Sequence, residues 1–287
     1  VVPGEEPGAM IGRLTAPRMV GAYLLLLLYY AFFLIPIIWI VLSSFKTNSA
    51  IIIGNIIPSP SDLTFSSYSD VWNTPGVPTF LRNSFIIALG VTAISLLVSS
   101  LGAYGLSKYR TRGRRSLLML ILTSQTFPGV LILVPFYTLI LQVNLNDTFL
   151  GIILAQTSGV LPFCMWTLKS YMDAVPDALV EASLIDGSGK LGTYLRVVLP
   201  TSLPGLAVAA FYAFAGSWGD YLFVSVISGS DNTGTLPIFL YRISTSQQMT
   251  WGAVAATTVI AIAPIMVIFA FVQRWMIEGL LAGAVKS

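Results

Sequence analysis

Few residues in this chain are able to break bonds. Its 287 residues include no histidine, and Cys164 is the only cysteine. A His/Cys metal site, a Ser/His or Cys/His nucleophile pair and an internal disulfide are therefore excluded, and no catalytic residue or metal ligand is assigned. Cys164 stands in an apolar run, the setting of a packed thiol rather than a reactive one. Gly187-Ser188-Gly189-Lys190 imitates the end of a phosphate-binding loop. The pattern G-x-x-x-x-G-K-[ST] nevertheless requires Gly where Leu184 stands and a hydroxyl where Leu191 stands, so this segment is not expected to bind ATP. What remains is binding chemistry inside apolar segments. Asp220 is the only acid well within one, and a carboxylate at mid-membrane costs about 2.5 to 3.5 kcal/mol, which makes it a candidate for function. Counted at about 1.5 Å per residue from Leu203, it lies roughly 25 Å across, toward the outer surface, where that cost falls. The amides of Gln125 and Gln156 donate and accept, as an uncharged, hydroxyl-rich solute requires. The rings of Tyr137, Trp218 and Tyr221 suit the apolar face of such a solute, although interfacial anchoring also places aromatic residues at these depths.

The elements that must position these groups are membrane helices. Hydrophobic residues make up 55% of the chain and charged residues 9%, against roughly 25% charged in a soluble domain. The net charge of +3 and pI near 9.0 form no basic stripe, so nucleic acid is not an expected partner and lipid is. Crossing roughly 30 Å of hydrocarbon takes about 20 apolar residues, and six windows qualify: Val20 to Leu42, Ser84 to Leu106, Leu117 to Leu141, Leu150 to Leu168, Leu203 to Val226 and Gly252 to Phe271. Of the 15 Lys and Arg residues, only Lys46, Arg82 and Arg242 fall on one side. Arg13, Arg18, Lys108, Arg110, Arg112, Arg114, Arg115, Lys169, Lys190, Arg196, Arg274 and Lys286 fall on the other. This bias places both termini in the cytoplasm.

The first window is too long for a signal core and no small-residue cleavage site follows it, so it is read as an uncleaved anchor. The polar loop Ser43 to Asn83 is expected to cap the outer face. Pro128 and Pro135 interrupt the third window, Pro162 the fourth and Pro264 the sixth, while Pro204 opens the fifth; kinked spans pack against other helices or a wet cavity. The resulting division is a cytoplasmic segment 1–19, a six-span domain 20–275 and a cytoplasmic tail 276–287.

Between the fourth and fifth windows the cytoplasmic loop 171–200 reads as a helix-turn-helix. Pro176 suits a first helical position, and Asp173, Asp177 and Glu181 favour the positive end of the helix dipole. Leu179, Ala182 and Ile185 recur at threes on one face, and Gly187 is placed to stop the helix in a left-handed conformation. A second helix runs from Lys190 to Val198 and ends at Leu199-Pro200. An exposed apolar stripe on so short a helix requires a partner.

The run Glu181-Ala182-Ser183, Asp186-Gly187, Tyr194 and Val197-Val198-Leu199-Pro200 resembles the E-A-A-x-x-D-G loop, closing in I-x-L-P, of ABC importer permeases. Ser183, Tyr194 and Val197 stand where Ala, Phe and Ile are usual. The ending from Phe271, FVQRWMIEGLLAGAVKS, resembles the tail of the second permease subunit of maltose-type carbohydrate importers. Phe214 with Trp218-Gly219-Asp220-Tyr221 resembles that subfamily's F-x-x-x-W-N-D-F run, with Gly219 replacing Asn.

The resemblance implies an all-α integral membrane protein of the type I importer permease fold, with a cytoplasmic coupling helix-turn-helix between spans 4 and 5, in a bacterial inner membrane. It implies a second homologous permease subunit, a dimeric ABC ATPase that binds ATP and Mg, and an extracytoplasmic solute-binding protein. This chain would hold no cofactor. It also implies that Glu181, Ala182, Ser183, Asp186, Gly187, Tyr194, Leu199 and Pro200 form the joint to the ATPase. Glu181 either bonds an arginine of the ATPase or caps its own helix, and Asp186 either joins that contact or binds local backbone. The tail from Leu280 either inserts between the ATPases or frays. A stand-alone secondary transporter or channel is the alternative; it would need ion-coupling carboxylates in two repeats, whereas Asp220 is alone and no such repeat is visible.

Overall fold

A computed structural model describes residues 16–109, 112–247 and 250–284. Residues 1–15 and 285–287, and with them Arg13, Arg110 and Lys286 of the cation count, lie outside the described residues. Lipid offers no hydrogen bonds to the backbone, and the apolar windows satisfy their own as helices. Helix α1 (Ala16–Ser44) is followed by a connecting segment containing α2 (Asn48–Ile53), a 3-10 turn (Pro60–Asp62) and α3 (Ser66–Asn73), and then by α4 (Val77–Lys108). The polar loop expected from Ser43 to Asn83 is largely helical, and α4 starts before the Ser84 expected from hydropathy. Lys46 fixes the connecting segment from inside. Its ammonium is buried, donates to the carbonyls of Asn55 and Ile56 at 2.7 and 3.0 Å, and lies 4.5 Å from the Trp39 ring.

The third window is two helices, α5 (Arg114–Ser124) and α6 (Gly129–Gln142), bent by 103°. Pro128 sits at the break as expected. Pro135 does not interrupt but lies within α6. Helix α7 (Phe149–Asp173) runs unbroken through Pro162, and α14 (Trp251–Ala284) through Pro264. The backbone of α14 continues to Ala284, so the expected tail begins as a helical extension of the sixth span.

After α7 come α8 (Asp177–Ile185), α9 (Lys190–Thr193), a π-helical turn (Tyr194–Val198) and α10 (Leu199–Thr201). The second helix of the 171–200 segment therefore passes through Pro200 instead of ending there. Within an α-helix the Pro200 ring would press on the carbonyl four residues back, at Arg196; the wider π turn moves that carbonyl away. Pro176 is the N-cap of α8 and not its first helical residue.

The fifth window is also interrupted. Helix α11 (Leu203–Trp218) has 16 residues, about 24 Å, too short for the bilayer. It meets the stretch Lys190–Thr201 at 79° and gives way at Gly219–Tyr221 to α12 (Leu222–Ile227); α13 (Leu236–Thr245) and α14 follow. Counting each bent pair as one span gives six crossings, four of them straight.

Helices α4, α7 and α11 pack together as the centre of the molecule, and α14 lies against α11. At one end the core joins Ala103, Tyr104, Cys164, Leu168 and Met172 of α4 and α7 to Val180, Tyr194 and Val198 of the 171–200 segment. Helix α1 packs on α14, and its aromatic residues Tyr29, Tyr30, Phe32 and Phe33 are exposed.

Candidate functional site

The 171–200 segment folds as two short helices held against the ends of α4, α7 and α11. Helix α8 ends at Asp186, and Gly187 follows at φ +84°, a left-handed conformation that L side chains rarely adopt. Burial separates the faces of α8. Val180 and Ser183 turn inward, while Leu179, Leu184 and Ile185 are exposed, Ile185 by 85%. Leu191 and Leu195 extend this apolar surface onto the second helix. Ala182 and Glu181 lie on the exposed side, and Glu181 sits mid-helix, where its carboxylate cannot cap α8. Asp186 is the C-cap residue, its N–H donating to the Ala182 carbonyl. Ser183 explains its own departure from Ala, because its hydroxyl shares a 3.1 Å hydrogen bond with Thr193 and closes α8 onto α9. Leu199 packs against the core and Pro200 is exposed.

Three residues that sequence reasoning missed hold this segment in place. Ser100, Tyr104 and Lys108 recur every four positions on α4 and so share one face. The Tyr194 hydroxyl donates to Ser100 Oγ at 2.8 Å, and the Tyr104 hydroxyl donates to the Lys190 carbonyl at 3.0 Å. Lys108 Nζ donates to the Val175 carbonyl at 2.5 Å and to Asp177 Oδ1 at 2.8 Å. The Lys108 hydrogen bond and charge hold the Asp177 carboxyl below the usual carboxylate range. Nearby, Lys169 pairs with Asp173, and Arg114 lies 3.8 Å from the same carboxylate, tying α5 to α7. The spacing of four was the available signal.

A second polar cluster lies at the break in the fifth span. Gln156 of α7 is buried; its Nε2 donates to Asp220 Oδ1 at 3.1 Å, and its Oε1 accepts from the Ser217 hydroxyl at 2.5 Å. Asp220 Oδ1 also accepts from the N–H groups of Phe223 at 3.0 Å and Val224 at 3.4 Å. The carboxylate thereby serves the first turn of α12, satisfying donors that the break would orphan. Gly219 leaves room for a side chain, as an added Cβ would meet only the Ala215 carbonyl at 3.5 Å.

The structure does not gather the other candidates around Asp220. Trp218 is buried, stacks on Phe214 and donates from Nε1 to the Ala261 carbonyl at 2.8 Å. Tyr221 packs on Tyr241 with ring centroids 5.2 Å apart. Tyr137 is half-buried on α6, against the cluster containing Ile140 and Ile152, and Gln125 is exposed at the α5–α6 break.

At the end of α7 away from the 171–200 segment, Asp147 links two loops. It sits at φ 52° and accepts from Thr233 Oγ1 and from the N–H groups of Gly229 and Ser230 at 3.0 and 3.2 Å. The Thr233 hydroxyl, with the backbone donors, lowers its pKa. Thr148 caps α7 by accepting from the Gly151 N–H at 3.1 Å.

Residues 95–280 match the family described as binding-protein-dependent transport system inner membrane component. The chain belongs to this family. The match takes in the α4 stripe, the whole 171–200 segment and the Ser217–Val224 break. Among relatives of this transport component is the inner membrane ABC transporter permease protein YcjP of Escherichia coli, 30% identical over 270 residues, covering 93% of this chain and 96% of that one. The sulfoquinovosyl glycerol transport system permease protein SmoH of Agrobacterium fabrum is 31% identical over 254 residues, covering 88% and 89%. The crystal structure of a bacterial ABC transporter importing the acidic polysaccharide alginate contains a chain of the same fold. It has a TM-score of 0.79 at 24% identity, covering 95% of this chain and 99% of that one. The transport component is thus an inner-membrane, multi-pass permease built on the type I importer fold.

Proposed function

We propose that this chain is one of two permease subunits of an ATP-driven importer of a sugar or related polyol, and that it couples solute passage to ATPases without catalysing any reaction itself. The exposed apolar face of α8, with Leu179, Leu184 and Ile185 beside the unengaged Glu181, carries this reading, since a surface of that kind in water calls for a cover. A dimeric ABC ATPase is the cover, and it holds the ATP and Mg. Glu181 accepts a charge-assisted hydrogen bond from an arginine there, worth about 1.5 to 3 kcal/mol. Asp186 and Gly187 shape the turn. A second, homologous permease lines the other half of the path, and an extracytoplasmic binding protein delivers the solute. Loop cations support cytoplasmic termini in a bacterial inner membrane. Relatives named for sulfoquinovosyl glycerol, diacetylchitobiose and trehalose transport support the solute class.

The test of coupling is uptake by cells carrying Glu181→Ala or Gly187→Val, with solute capture by the binding protein measured in parallel. Uptake is expected to vanish while capture is intact; normal uptake in both variants would sink the assignment.

Along the path, the Asp220 carboxylate is the acceptor placed to meet a solute hydroxyl, beside the Gln156 amide. Asp220→Asn keeps the size of the side chain and one acceptor for α12. It is expected to reduce uptake about fivefold, the worth of one hydrogen bond, with an unchanged melting temperature. Uptake at the wild-type level would remove Asp220 from the path.

A further inference from the structure

The hydroxyl pairs on α4 have a direction, and it bears on how force reaches the membrane. A phenol carries one proton. Tyr104 gives its proton to the Lys190 carbonyl at 3.0 Å, so at 2.9 Å it must accept from the Tyr109 hydroxyl, and the three groups form one chain from the end of α4 to the start of α9. Tyr194 gives its proton to Ser100, and Ser100 in turn donates to the Leu97 carbonyl at 3.3 Å. The Tyr104 and Tyr194 rings lie 5.1 Å apart. Lys190 Nζ lies 4.9 Å from the Tyr109 ring. Lys108, one turn further along the stripe, grips Val175 just ahead of α8 and Asp177, the first residue of α8. Both arms of the cytoplasmic segment are therefore fastened to a single face of α4, although in sequence the segment connects α7 to α11.

We infer that the Ser100–Tyr104–Lys108 face of α4 is the transmission element of this permease, so that displacement of the coupling helices moves the second span directly rather than through the chain ends at α7 and α11. These are positioning residues; they touch neither solute nor nucleotide. The Tyr194–Ser100 bond matters most, because Tyr194 begins the π turn, whose irregular hydrogen bonding leaves that segment dependent on outside partners. The inference rests on the proposed coupling to ATPases.

Its test uses the complete complex in proteoliposomes, comparing wild type with Tyr194→Phe, Ser100→Ala, the double variant and Tyr104→Phe. Three readings are taken: ATP hydrolysed per solute imported, melting temperature of the complex, and co-purification of the ATPase. Each single variant is expected to raise the ATP consumed per solute about tenfold, the effect of losing one buried hydrogen-bond partner. The Tyr194→Phe/Ser100→Ala double variant should be no worse than either single one, since both remove the same link. An unchanged ratio with only a lowered melting temperature would overturn the inference and leave these residues as packing. Multiplying effects in the double variant would also overturn it. Should the wild-type chain fail to co-purify with an ATPase, the functional reading falls first and this inference with it.

Discussion

Gly205→Ala is expected to lower the melting temperature of the purified permease by several degrees and to cut ATP-driven uptake severely, although only one methyl group is added. A Cβ at position 205 would stand 2.5 Å from Tyr171 Cγ, 2.6 Å from Cδ2 and 2.9 Å from Cβ. These are root atoms of the ring, so no flexible tip can swing clear, and α11 must separate from the end of α7. Overpacking of this kind costs about 1 to 3 kcal/mol. If the 171–200 segment couples to an ATPase as proposed, the functional loss should exceed the stability loss, because Tyr171 and Gly205 mark the two places where that segment leaves and re-enters the spans. Tyr171→Ala on top of Gly205→Ala removes two of the three close contacts and should restore most of the melting temperature. A single variant that melts and transports like wild type would show that the two helices are not held this closely.

Much of the scaffold was legible because its causes are local. Six apolar windows follow from counting, the left-handed turn at Gly187 from its place after an apolar-periodic stretch, and the uncovered stripe from the spacing of Leu179 and Ile185. Other features depend on partners far along the chain. Asp220 reads as an isolated acid at membrane depth until Gln156, 64 residues earlier, is placed beside it, and the break that the carboxylate caps is visible only afterwards. The α4 face is bonded to residues 67 to 94 positions away. Serine and tyrosine near the end of a span have too many ordinary uses for a spacing of four to stand out. Pro200 misled for a different reason. A proline normally stops a helix, and the π turn ahead of it removes the steric ground for stopping.

The sharpest separation between what folds this chain and what it docks comes from two positions on α8 only five residues apart. Ile185 is 85% exposed and Val180 only 8%. Ile185→Asp is expected to leave the melting temperature of the isolated permease unchanged, since that residue is almost wholly exposed and belongs to no core cluster among the described residues. It should nevertheless abolish recovery of the ATPase by affinity purification. If the partner covers this face, the variant loses the burial of an isoleucine and places a carboxylate against apolar surface. Together these cost about 3 kcal/mol or more, roughly a hundredfold in affinity. Val180→Asp should do the reverse in order of cause, melting the permease itself because Val180 belongs to the cluster shared with Tyr104, Leu168 and Val198. Recovery of the ATPase at wild-type yield with Ile185→Asp would mean that the apolar face of α8 meets something other than the engine. The exposure of Leu179, Leu184 and Leu191 would then need a different occupant.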